Sequence, residues 1–148
     1  MFSRLSRIAA LAGLVVVLSA GLAAAHSYRL GPLRIGHLWA PPAAAGAGVP
    51  IYGAILDMGG EPVVLDGART QIGKDVRIRR VDDGTPTFSD TFTFQPGKPV
   101  AFAKWREHLF VEGNERPLAA GDHFSMTLDF AHVGKIDVDV LVEAAPSD

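Results

Sequence analysis

Phe124, Met126, Leu128 and Phe130 share one parity, and Ile136, Val138, Val140 and Val142 share one parity in the run that follows. Strict alternation with period two puts one face of a strand in a core and the other in water. The two runs are joined by a short turn around Gly134-Lys135, so the block predicts a hairpin closing an antiparallel sheet. A chain that ends this way needs further strands to cover the apolar face.

The remaining residues supply them. Leu33, Ile35 and His37 alternate after a turn at Gly31-Pro32, and Val49 to Leu56 reads as one strand ended by Asp57-Met58-Gly59-Gly60. Between these lies Ala40 to Pro50, a Pro/Ala/Gly segment that is not a regular central strand and reads as a surface loop. Glu61 to Ala68 is short and apolar, Val76, Ile78 and Arg80 alternate, and Asp82-Asp83-Gly84 has turn chemistry. Phe88, Phe92 and Phe94 share a parity, and Gln95-Pro96-Gly97 and Asn114 to Pro117 interrupt the chain again. Short strands punctuated every eight to twelve residues by Gly, Pro, Asn and Asp predict an all-β antiparallel sandwich of about seven to nine strands.

The N-terminus reads differently. Arg4 and Arg7 precede an apolar run from Ile8 to Leu22, and Ala23-Ala24-Ala25 offers small residues for cleavage. This is the pattern of a secretory leader over residues 1–25, with export to the periplasm and cleavage after Ala25 expected. The alternative is an uncleaved anchor, since the run approaches the ~20 residues of a spanning helix. Residues 26–148 then form one domain, a usual length for one. The leader takes two of the 14 basic residues and none of the 16 acidic ones, leaving a net charge of −4. That balance excludes nucleic acid as a partner class, and the cleaved chain has no further membrane segment. With no cysteine there is no disulfide, no thiolate ligand and no thiol for a lipid anchor.

Catalytic patterns are absent: there is no G-x-S-x-G elbow, no cysteine nucleophile and no H-E-x-x-H helix. The acidic pairs lie in turns. The chain is read as a non-enzyme.

Several segments together resemble one family. IGHLWAPP, IYGAILDMGGEPVVLDGA, FQPGKPVAF and EHLFVEGNERPLAAGDHFSMTLDFAHVGKIDVDVLV are similar, in this order, to blocks of the periplasmic copper chaperones of the PCu(A)C type. The resemblance implies a cupredoxin-like β-sandwich and carriage of Cu(I) toward the copper centre of cytochrome oxidase. It also implies a site of two imidazoles and two thioethers, soft and borderline donors suited to cuprous ion. His108 falls on the histidine of the family's His-x-Met element, but Phe110 replaces its methionine. The family's earlier histidine falls at or beside Arg79, and no methionine lies between Arg79 and His108. Phe110 has no lone pair to give, and a permanent cation at Arg79 opposes a bound metal ion.

Two functions are compatible with these residues. The first is a copper-chaperone-like protein with a degenerate metal site. The second is a binding or interaction module that has lost copper. Three further sets of residues are candidates. His26 would become the terminal residue on cleavage, and its amine and imidazole together chelate Cu(II), with His37, His108 or His132 completing the set. Met58, in a turn, is a candidate thioether. Arg77 and Arg79 offer guanidinium to a carboxylate or phosphate, or to a protein partner. Met126 reads as core filler, His37 as a half-buried satisfied histidine, and His123 and His132 as surface residues.

Overall fold

The computed structural model describes residues 27–145; the leader at 1–25 and His26 lie outside them. Among the described residues every regular element is a strand. In chain order these are β1 (Tyr28–Leu30), β2 (Leu33–Ile35), β3 (Leu38–Ala40), β4 (Val49–Ile51), β5 (Gly53–Asp57), β6 (Val63–Thr70) and β7 (Asp75–Asp82). Then follow β8 (Thr85–Ser89), β9 (Phe92–Phe94), β10 (Val100–Phe102), β11 (His108–Glu112), β12 (His123–Phe130) and β13 (Gly134–Val142).

They form sheets ordered β1-β2-β5-β10, β4-β11-β7-β8 and β3-β13-β12-β6-β9. The C-terminal hairpin pairs the two alternating runs, its turn lying at Ala131 to Val133 with Gly134 and Lys135 already in β13: Phe124 lies opposite Val140, Met126 opposite Val138 and Leu128 opposite Ile136. Its inward residues enter a single buried cluster with Leu33, Ile35, Leu38, Phe94 and Leu109. Phe94 is the centre of an aromatic group, with ring centroids 4.9 Å from Phe92 and 6.1 Å from both Phe102 and Phe130. Each such side chain, fully buried, contributes about 1.5–3 kcal/mol. Met126 is fully buried, as its parity requires.

Three details depart from the sequence reading. Among the described residues thirteen strands stand where seven to nine were expected, because the chain passes repeatedly from one sheet to another. The run from Val49 to Leu56 is one such corner: β4 pairs with β11, whereas β5 pairs with β2 and β10. The change occurs at Gly53, where φ is +148°. A Cβ there would meet the His37 carbonyl oxygen at 2.6 Å and a Leu38 methyl at 2.5 Å, so the backbones come together only through glycine. Finally, β13 pairs with β3 in parallel, the exception in an otherwise antiparallel set of ladders.

Candidate functional site

The β11 strand alternates inward Leu109 and Val111 with outward His108, Phe110 and Glu112. Leu109 and Val111 are at most 1 % exposed and lie in the core, so the opposite parity is committed to the outer face of the β4-β11-β7-β8 sheet. There the register sets the neighbours: His108 lies opposite Arg79, and Phe110 lies opposite Arg77 on one side and Pro50 on the other. Arg79 in turn lies opposite Phe88 of β8. The positions singled out from the sequence on β7 and β11 are thus direct cross-strand partners.

His108 is 2 % exposed. Its Nδ1 lies 2.9 Å from the Arg106 carbonyl oxygen and 3.1 Å from that of Ala103. Carbonyls only accept, so Nδ1 carries the proton and donates it, and the neutral ring keeps its lone pair on Nε2. Nε2 is buried and has no hydrogen-bond partner. Burial holds the imidazole below its ordinary pKa, and the Arg79 cation pushes the same way, against the two carbonyls that favour the charged ring. A ring held by a backbone carbonyl at one nitrogen and free at the other is the form in which histidine binds metals.

Around it the surface is aromatic. The Tyr52 ring centroid is 5.5 Å from that of His108, in an edge-on arrangement, and Trp39 is 4.9 Å beyond Tyr52. Burial raises the Tyr52 phenol pKa, opposed by Arg79. On the other side Phe110 lies 6.5 Å from His108 and 6.1 Å from Phe88. The Arg79 guanidinium sits over the Phe110 ring at 4.6 Å and that of Arg77 over Phe88 at 5.0 Å, both within cation–π range. Arg79 Nε is buried without a partner, like His108 Nε2. The Phe110 ring has its place because residue 48 is glycine: a Cβ at Gly48 would lie 2.0 Å from Phe110 Cζ.

The other arginines of β7 are occupied. Arg77 Nε donates to Asp90 at 2.9 Å, and Arg80 reaches both Asp82 and Glu107 at 2.8 Å. Arg79 is therefore the one of the three without a carboxylate partner among the described residues.

The remaining candidates are elsewhere. Met58 is exposed, just beyond the far end of β5. Six residues along an extended chain from Tyr52 correspond to ~20 Å, so Met58 is not brought to His108. His37 is half-buried and paired with Glu143 at 2.6 Å. His123 is exposed beside Asp139, and His132 is an exposed turn residue with φ +62°. His26 lies outside the described residues. Among the described residues no group of three or more His, Asp or Glu is placed to hold a metal ion. Around His108 the donor chemistry is one imidazole beside a guanidinium and a phenyl ring, which does not fit tight coordination of Cu(I).

Trp39, Gly48, Tyr52 and Phe88 complete this face and were not singled out from the sequence. Parity places Phe110 beside His108, but nothing in a single sequence pairs β4 or β8 with that region.

Comparison with known proteins gives these observations a frame. A family model described as an LpqE-like lipoprotein matches residues 33–142. No curated protein sequence matches the chain. Among solved structures, the copper-bound PCuAC domain from PmoF2 is similar with 22 % identity and a TM-score of 0.71 over 81 % of this chain and 99 % of that one. The apo PmoF2 PCuAC domain gives 22 % identity and a TM-score of 0.72 over 82 % and 98 %. Cu(I)-bound DR1885 from Deinococcus radiodurans gives 16 % and 0.62 over 84 % and 85 %. At such identities the likeness establishes the fold, and the family model establishes the membership. The chain belongs to the LpqE-like family, a PCuAC-related group, and is built as a cupredoxin-like β-sandwich.

Proposed function

We propose that the chain is an exported, non-catalytic, copper-chaperone-like protein with a degenerate metal site. One observation carries this reading: His108 is held with Nδ1–H on two backbone carbonyls and Nε2 free, a prepared metal ligand. The fold relatives that hold copper support it, and the leader-like residues 1–25 support a periplasmic location. The degenerate part rests on Arg79 and Phe110, which occupy the places where further donors are needed. By itself the chain then offers Cu(I) a single imidazole. Delivery toward cytochrome oxidase belongs to this proposal, through the family resemblance.

A second reading is favoured by the stacking of Arg79 on Phe110 directly across from His108. In it the guanidinium has closed the metal position, and the chain is a binding module that has lost copper. Competition with a chromogenic cuprous chelator separates the two, run on the wild type and His108→Ala. One-to-one binding that disappears in His108→Ala supports the copper-chaperone-like reading. Binding no stronger than that of an exposed histidine, unchanged by the substitution, overturns it and leaves the module.

A further inference from the structure

The connection from β10 to β11 is a closed turn. The Arg106 N–H donates to the Ala103 carbonyl at 3.1 Å, and the Ala103 N–H donates to the Glu107 carbonyl at 3.3 Å. Its carbonyls at Ala103 and Arg106 are also the two that hold the His108 ring. Glu107, at its base, is tied to Arg80 of β7 at 2.8 Å. The turn is braced on three sides.

It nevertheless presents Trp105 to solvent with 81 % exposure, the most exposed of the large hydrophobic residues described. An indole is on average well buried, and here a braced turn holds it outward. Lys104 and Arg106 flank it, both exposed, and neither makes an ion pair among the described residues. The nearest carboxylate, Glu107, is taken by Arg80. On a chain of net charge −2 this tip is a cationic and aromatic island.

We propose that the Lys104-Trp105-Arg106 tip is a docking surface for an acidic segment of a protein partner. The chemistry is that of an interface hot spot. A rigid indole supplies contact area at small entropic cost, and flanking cations steer and orient carboxylates. An anionic membrane is a poorer occupant, because one indole and two cations make a weak interfacial anchor. A partner seated here would sit on the turn whose carbonyls hold the His108 ring. The inference does not depend on whether His108 takes copper.

The test is an NMR titration of the 15N-labelled protein with a short synthetic peptide bearing aspartate and glutamate on either side of one leucine. A second arm uses the asparagine/glutamine version of the peptide, and a third uses phosphatidylglycerol vesicles. The expected result is a saturable shift of the Trp105 indole N–H and the Lys104 and Arg106 amides with the acidic peptide alone, weakening as salt is raised. Trp105→Ala should weaken binding about tenfold or more. A Lys104→Glu/Arg106→Glu variant, which leaves Trp105 in place, should abolish it while the amides of the core strands stay unmoved. Unmoved tip resonances, equal binding of the neutral peptide, binding to vesicles alone, or shifts centred on another basic region such as Arg69 and Arg116 would each overturn the proposal.

Discussion

Replacing Arg79 with glutamine should raise the affinity of His108 for cuprous ion by about one to two orders of magnitude. Arg79 and His108 are partners across an antiparallel ladder, and the Cβ atoms of such partners lie ~5 Å apart. The Arg79 guanidinium stacks on the Phe110 ring, and its charge acts on His108. Two unit charges ~5–10 Å apart at an effective dielectric constant of ~20 repel by about 1.5–3 kcal/mol. That is about one to two decades in a binding constant. Glutamine keeps most of the side chain's length and removes the charge. Lysine keeps the charge and should bind no better than wild type, and methionine should exceed glutamine because it adds a soft donor. The assay is chelator competition at neutral pH, with folding of each variant checked by its near-ultraviolet spectrum. If folded Arg79→Gln binds Cu(I) no more tightly than the wild type, the electrostatic argument is wrong. The site would then be closed by shape and missing donors alone.

Three other outcomes follow from the same geometry. Gly48→Ala drives a methyl into Phe110, with 2.0 Å between Cβ and Cζ, and should cost about 1–3 kcal/mol in urea unfolding. The cost should nearly vanish in a Phe110→Ala background, which a double-mutant cycle reads directly. His108 has a folded pKa below its unfolded value, so the unfolded chain binds the proton first as pH falls. Its contribution is complete above the unfolded pKa of ~6.5, and below that stability should fall by up to ~1.4 kcal/mol per pH unit until the folded pKa is reached. His108→Gln should remove that part of the slope, and an unchanged slope would show the ring to be no more titration-resistant than an exposed one. Phe94→Ala removes a fully buried ring at the centre of the aromatic group and should cost about 3–5 kcal/mol, seen as a lower denaturation midpoint.

The fold was legible where side-chain parity is enforced by burial. Phe124 to Phe130 and Val138 to Val142 have one face in a core, and a slip of one residue would turn all of them outward. The Asp82-Asp83-Gly84 turn was legible for a similar reason, since both Asp83 and Gly84 have positive φ. Gly53 was not: as one glycine in an apolar run it gives no sign that the chain passes there from one sheet to another. Of the site, His108, Arg79 and Phe110 were found because a family pattern aligns them and Arg77 because it lies in an arginine-rich run, and their cross-strand pairing could then be seen only in the fold. Phe88 meets Arg79 across the β7-β8 hairpin, but β11 meets β4 and β7 through ladders whose partners are far apart in sequence. No local pattern records such pairings. Met58 had the right chemistry for a ligand but lies at the other end of its strand, and composition carries no position.

The absence of a side chain at residue 48 also constrains the order in which this face can change over generations. The Phe110 ring fills the space that any larger residue at 48 would need, so a lineage must shrink residue 110 before residue 48 can grow. A lineage that places a sulfur donor at 110 vacates the ring's place and leaves Arg79 without the surface it stacks on. Substitutions at 48, 79 and 110 should therefore occur together across descendants of this chain, with glycine at 48 the last of the three to be lost.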